Sequence, residues 1–277
     1  MARKHSWTRT VLLFALVLLV APLVQSAQLT KDDIDFRKKV YADKTGSHLP
    51  YRLFVPLGYD SSRKYPLLLW LHGGEGRGSD NVKQLSGGNQ MATHFFAGDS
   101  VQLKLPMFIL LPQCPSGDNW SDPDLNQPTQ WLALAMAALT EVQKEFSIDT
   151  DRLYLAGQSM GGLGVWSTLQ AYPGRWAAAI ILSAYDNFTE VKTLAQTPLW
   201  VFQGADDQTV PVTLVRDMMK QLRKVHANLH YTEYPKTGHE VWKKAFAEPD
   251  LLPWLSSQKR GQAVEGQVGS REAPPAH

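Results

Sequence analysis

The chain has 277 residues, 44% of them hydrophobic and 19% charged, an ordinary globular balance that excludes a fibrous or low-complexity protein. Its formal charge of +2 depends on three basic residues near the N-terminus; without residues 1–27 it falls to −1, so nothing argues for a nucleic acid or an anionic membrane surface as partner. The single cysteine, Cys114, excludes an intramolecular disulfide and argues against a thiolate metal site.

In chain order, Arg3, Lys4 and Arg9 precede an apolar run from Val11 to Ala21, and small residues follow at Ser26 and Ala27. That is the layout of a secretory signal peptide, with an apolar run too short to span a bilayer comfortably. Residues 1–27 are therefore expected to be an export signal, and the mature protein to be secreted or periplasmic with no membrane attachment. The runs FRKKVYAD and LPYRLFVPLGY, separated by Lys44 to Ser47, predict an antiparallel hairpin. PLLLWLH, MFILLPQ, RLYLAG, AAAIILSA and PLWVFQG are short continuous apolar runs, as expected of strands buried on both faces. Helical patterns lie between them. One covers about Thr129 to Phe146; another covers about Val212 to Val225, with Leu214, Val215, Met218, Met219 and Leu222 as its stripe. NLHYTEYP reads as a last strand. From Ser256 onward the chain is poor in large apolar residues and rich in Gly, Pro, Gln and charge, which predicts a disordered tail over 256–277.

The alternation predicts one α/β domain over residues 28–255. Its central sheet is mostly parallel with an antiparallel N-terminal hairpin, and helices cover both faces. Sites in such sheets lie at the C-terminal ends of the strands. Gly157-Gln158-Ser159-Met160-Gly161 stands at one such end, between a buried-strand run and the plausible helix GLGVWSTLQAY. G-x-S-x-G in a strand–turn–helix setting is the arrangement of a nucleophile elbow: glycines two before and two after the serine leave room for a sharp turn, and the hydroxyl is presented at a helix N-terminus.

A serine needs a base, and the base needs an orienting acid, here in the chain order serine, acid, histidine. Of the eight histidines, His239 alone follows the last strand in a loop, PKTGHEVW. Asp206 and Asp207 follow the strand ending near Gln203, with Asp186 after AAAIILSA a weaker rival, and spacing alone does not choose among them. The oxyanion donors are expected to be the N–H of Met160 and those of the Gly73–Gly74 region, in the glycine-rich loop after PLLLWLH. His72 is expected to hold that loop; Glu75 and Arg77 either pair with each other or gate the mouth. The segment Pro115 to Gln130 follows a strand end and should line the mouth, where Trp120, read as exposed, is a candidate to stack on an aromatic acyl group or a sugar.

LHGGEGRGSDN, LPQCP, GQSMGG, GADDQTVP and GHEVW together resemble the α/β-hydrolase superfamily, within it the secreted esterases related to the phospholipase/carboxylesterase and feruloyl-esterase groups. The likeness spans roughly residues 35 to 250. It implies the α/β-hydrolase fold and a Ser-His-Asp triad that hydrolyses carboxylic esters through an acyl-enzyme, with no metal or cofactor. In the family's acid segment the acid comes four residues before the proline of "VP", which implies Asp207. One departure is Gln203, where relatives often carry histidine before the glycine; it is expected to leave the reaction intact. A prolyl-oligopeptidase-like serine peptidase shares elbow, triad and order, although this chain has no room for a propeller domain. A noncatalytic binding protein on the same scaffold is the other alternative.

Overall fold

A computed structural model of the chain describes residues 35–122, 127–186 and 190–261. The expected signal peptide lies outside the described residues.

The hairpin forms from β1 (Phe36–Ala42) and β2 (His48–Phe54), paired in antiparallel register from Phe36↔Phe54 to Ala42↔His48. The turn between them is held by Asp43, whose Oδ1 accepts the N–H groups of Thr45 and Ser47. There follow β3 (Tyr65–Leu71), α1 (Gly88–Ala97), α2 (Asp99–Gln102) and β4 (Phe108–Pro112). A two-strand ladder, β5 (Ser121–Asp122) with β6 (Gln127–Pro128), lies inside the segment after β4. Next come α3 (Gln130–Glu145), β7 (Ile148–Gln158), α4 (Met160–Ala171), β8 (Ala178–Leu182), α5 (Val191–Leu194) and β9 (Leu199–Gly204). The chain continues through α6 (Val212–Lys224), β10 (Leu229–Tyr234), α7 (Trp242–Ala245) and α8 (Leu251–Ser257). The main sheet runs β1-β2-β4-β3-β7-β8-β9-β10; β2 is antiparallel to β1 and to β4, and every pairing from β4 to β10 is parallel.

Helices cover both faces, as the continuous apolar strands require. Along β3 the side chains alternate. Leu67, Leu69 and Leu71 pack with α3, α4 and α6 on one face, while Leu68 and Trp70 pack with α1, α7 and α8 on the other. The α6 stripe differs from expectation at one residue. Val215, Met218, Met219 and Leu222 are buried, but Leu214 is 40% exposed, because it lies about 100° round the helix from Val215, at the edge of the apolar arc.

The C-terminal boundary also shifts. Ser256 and Ser257 belong to α8, Gln258 is buried, its amide nitrogen donating to the carbonyl of Trp254, and Arg260 binds Asp151 through both backbone and guanidinium. Polar groups with backbone or distant partners hold this stretch, which a count of apolar residues cannot register. The remainder of the expected tail, 262–277, lies outside the described residues. Among the described residues, no helix is long and apolar enough to cross a membrane.

Candidate active site

β7 runs straight into α4 through Ser159, which sits at φ +53°, ψ −120°. A non-glycine residue rarely adopts a positive φ, and here the surroundings impose it: the N–H of Ser159 donates to the carbonyl of Leu182 at 2.8 Å while its own carbonyl accepts the N–H of Leu163 at 3.1 Å. The flanking glycines are required by close approach. A Cβ on Gly161 would stand 1.9 Å from the carbonyl oxygen of Leu71 on β3, and one on Gly157 would stand 2.5 Å from that of Gly161.

The side chain thus presented meets two others. Ser159 Oγ is 2.8 Å from His239 Nε2, and His239 Nδ1 is 2.9 Å from Asp207 Oδ2. Asp207 stands three residues past β9 and is buried; Asp206, its neighbour, is exposed. The Asp207 carboxylate is fully engaged. Oδ1 accepts the N–H groups of Thr209 (2.8 Å) and Val210 (2.9 Å), and Oδ2 accepts His239 and the Gln203 amide at 2.9 Å. Because Oδ2 can only accept from the imidazole, the proton of a neutral His239 resides on Nδ1 and the Nε2 lone pair faces the serine hydroxyl. Trp242 packs edge-to-face on the imidazole, with ring centroids 5.9 Å apart.

Around the serine, the structure differs from expectation at the glycine-rich loop. The N–H of Met160, the first residue of α4, has no acceptor within its helix and lies at the positive end of the helix dipole. Gly74 opens a 3₁₀ turn, Gly74–Gly76, and its N–H is likewise outside the turn's own hydrogen bonds. Gly73, however, donates its N–H to Asn89 Oδ1 at 3.0 Å. The expectation that Gly73 contributes an oxyanion donor is corrected: α1 lays the buried Asn89 against the loop and takes up that N–H. Gly74 and Met160 keep N–H groups that their turn and helix leave unbonded.

His72 holds the loop, as expected. It is buried, donates Nδ1–H to the Gly73 carbonyl (2.7 Å) and accepts the N–H of Cys114 at Nε2 (2.9 Å). Burial holds its pKa down at about 4, with nearby Arg77 adding to the effect and the Gly73 bond opposing it. Unfolded histidine takes a proton near pH 6.5, so between there and about pH 4 the unfolded chain binds more protons than the folded one, and stability falls as pH falls. Wild type should lose about 2 kcal/mol from His72 between pH 7 and pH 5. The check is the denaturant midpoint of wild type and of His72→Asn at both pH values, with the loss expected to be smaller by that amount in the variant. Cys114 next to it is buried, and its thiol is pushed up to about 12 by desolvation, so it stays protonated and inert.

Glu75 and Arg77 do not pair. Glu75 Oε1 accepts the N–H of Gly88 at 2.5 Å, whereas Arg77 donates Nε to the Asp118 carbonyl (2.5 Å) and Nη2 to Asn119 Oδ1. Arg77 thereby ties the segment after β4 to the loop. Trp120 in that segment is corrected as well. It is fully buried, its indole N–H donates to the His72 carbonyl at 3.1 Å, and its ring packs on the His72 imidazole at 5.1 Å. A ring enclosed in this way anchors the segment and offers no face to a ligand. Two residues near the three-residue chain had no sequence signal of a role: Asn89, inside a helix, and Ser183, just after β8, whose hydroxyl donates to the His239 carbonyl at 2.6 Å.

Residues 42–249 match the family described as "Putative esterase". Among solved structures, the chain is similar to a thermostable esterase at a TM-score of 0.78 and 32% identity, over 82% of this chain and 64% of that one. Among curated proteins it is similar to a bifunctional acetylxylan esterase/xylanase of Neocallimastix patriciarum, 26% identical over 57% of this chain and 22% of that protein. It is also similar to a chloroplastic glutamyl endopeptidase of Arabidopsis thaliana, 27% identical over 61% of this chain and 18% of that protein. The chain thus spans about a fifth of the length of these two curated relatives. The mostly parallel sheet with its N-terminal hairpin is the α/β-hydrolase fold.

Proposed function

The chain belongs to this esterase family, and from that premise we propose that it is an exported serine esterase that hydrolyses carboxylic esters through an acyl-enzyme. The observation that carries the reading is the continuous hydrogen-bonded chain Ser159–His239–Asp207 beside the free N–H of Met160. His239 Nε2 takes the Ser159 proton as Oγ attacks the ester carbonyl, and Asp207 steadies the imidazolium that forms. The carbonyl oxygen gains charge between the N–H groups of Met160 and Gly74. Collapse expels the alcohol, which receives the proton from His239; water then enters by the same route and releases the acid. The chain's own side chains supply every proton transfer. Export rests on the charged, apolar and small-residue pattern of residues 1–27.

The substrate class follows from the relatives' names and from the shortness of the connection between β8 and β9, residues 183–198: an acyl ester on a carbohydrate polymer or a small alkyl ester, rather than a long lipid chain. The likeness to a glutamyl endopeptidase favours a second reading, peptide hydrolysis by the same groups. One panel separates them: p-nitrophenyl acetate, methyl ferulate, acetylated xylan and an N-acyl-glutamyl p-nitroanilide, offered to residues 28–277. Turnover of the esters at roughly 1–1,000 per second with the anilide inert is expected. Anilide cleavage without ester turnover sinks the esterase reading.

A further inference from the structure

Ser159 has a counterpart one strand over. Leu182, the last residue of β8, pairs in register with Gln158, the last of β7, and each is followed by a serine at positive φ: Ser159 at +53° and Ser183 at +49°. Each serine sends its N–H to the next strand, Ser159 to the Leu182 carbonyl at 2.8 Å and Ser183 to the Phe202 carbonyl at 2.9 Å. Both serines thus leave their strands at positive φ with the N–H bonded to the neighbouring strand. The first presents the hydroxyl that meets His239 Nε2. The second presents a buried hydroxyl that donates to the main-chain carbonyl of the same histidine at 2.6 Å.

A left-handed backbone is strained for serine and free for glycine. Glycine at 183 would make the turn without strain but would bring no hydroxyl to His239. Strain held at a buried position, with the side chain in use, points from the geometry to a role. The loop that carries His239 needs such a hold. It begins beyond β10, with Lys236 at φ +51°; besides the His239 imidazole itself, Asp206 donates its N–H to the Thr237 carbonyl at 2.9 Å, the Lys244 ammonium donates to Thr237 Oγ1 at 2.6 Å, and Val241 donates to the His239 carbonyl at 3.0 Å. It lies so close over the end of β9 that a Cβ on Gly204 would stand 2.1 Å from the carbonyl oxygen of Gly238. Ser183 is the side chain that ties this loop to the strand beside the nucleophile.

We propose that Ser183 is a positioning residue: by holding the His239 main chain, it sets the distance between Nε2 and the Ser159 hydroxyl. This rests on the reading of Ser159 and His239 as nucleophile and base. The test compares Ser183→Ala, which keeps the strain and removes the hydroxyl, with Ser183→Gly, which removes both. Three quantities are measured on the mature chain: kcat and KM on p-nitrophenyl acetate, the rate of Ser159 labelling by a fluorophosphonate, and thermal stability. Both variants should fall about 10- to 100-fold in kcat and in labelling rate with KM nearly unchanged, since small misplacements of a reacting group are costly. The glycine variant should nevertheless melt higher than the alanine variant. Wild-type kcat in Ser183→Ala overturns the proposal, and so does activity that tracks stability, with Ser183→Gly the faster of the two. If wild type neither turns over an ester nor takes the label, the esterase reading fails instead. In that event the low-field proton resonance of His239 Nδ1–H decides the positioning claim: faster exchange with solvent in both variants supports it, and an unchanged rate overturns it.

Discussion

Ser159→Ala is expected to lower kcat on esters by about 10⁴- to 10⁶-fold while KM and stability stay close to wild type. The reasons are local. The hydroxyl is the only group of Ser159 that the proposed reaction uses, and its one side-chain contact is with His239 Nε2. Removing it exposes that nitrogen to the mouth, where water can satisfy it. The backbone at φ +53° is as strained for alanine as for serine, so the substitution changes folding little. Some rate above the uncatalysed reaction should survive, because the donors on Met160 and Gly74 are untouched. The groups act as a unit, so His239→Ala should cost about as much, and the double variant no more than either single one. Steady-state kinetics on the three purified variants, with circular dichroism to verify folding, would check this. A fall of only tenfold in Ser159→Ala would mean that another group attacks the substrate.

The second large effect separates two adjacent carboxylates. Asp207→Asn should lower kcat by about 10⁴-fold, whereas Asp206→Asn should stay within about twofold of wild type. Four donors surround the Asp207 side chain, two from the backbone N–H groups of Thr209 and Val210 on one oxygen, and two from Gln203 and His239 on the other. Asparagine has one accepting and one donating end. Whichever way its amide turns, it sets a donor against donors. If the amide nitrogen faces His239, the imidazole must carry its proton on Nε2, where it cannot accept one from Ser159. If it faces the loop, the part-buried N–H groups of Thr209 and Val210 lose their acceptor, at about 1 kcal/mol each. Asp206 has no such enclosure: it is exposed and uses its backbone N–H to hold Thr237. Equal losses in the two variants would remove Asp207 from the role proposed for it.

Much of this arrangement was legible in the residues before any coordinates. The strands buried on both faces announce themselves as unbroken apolar runs, and β3 is the clearest, with all seven residues buried. Ser159, Asp207 and His239, named from the elbow, the strand ends and a family resemblance, are the three side chains that the structure brings into hydrogen-bonding distance. What escaped the sequence has a common physical form: a partner distant in the chain and invisible to local pattern. Trp120 reads as exposed because its neighbours are polar, yet its surroundings are set by His72, 48 positions away. Gly73 reads as a donor to a ligand because the loop is rich in glycine, but its N–H is claimed by Asn89, which in sequence is an ordinary helix residue. Ser183 reads as the end of an apolar strand, and only its positive φ and its bond to the His239 carbonyl set it apart. The stretch from Ser256 to Arg260 reads as tail for a similar reason, since a buried glutamine amide does for Gln258 what apolar area does elsewhere.

The contact between Arg260 and Asp151 has a practical side. Asp151 lies near the start of β7 and Ser159 just past its end, so the two are roughly 25 Å apart along an extended strand. Arg260, and residue 261 after it, therefore lie toward the end of β7 opposite the reacting groups. A bead, a chip surface or a carbohydrate-binding partner joined there would hold the protein with its mouth facing outward, and a bulky insoluble polymer could reach Ser159 without meeting the tether.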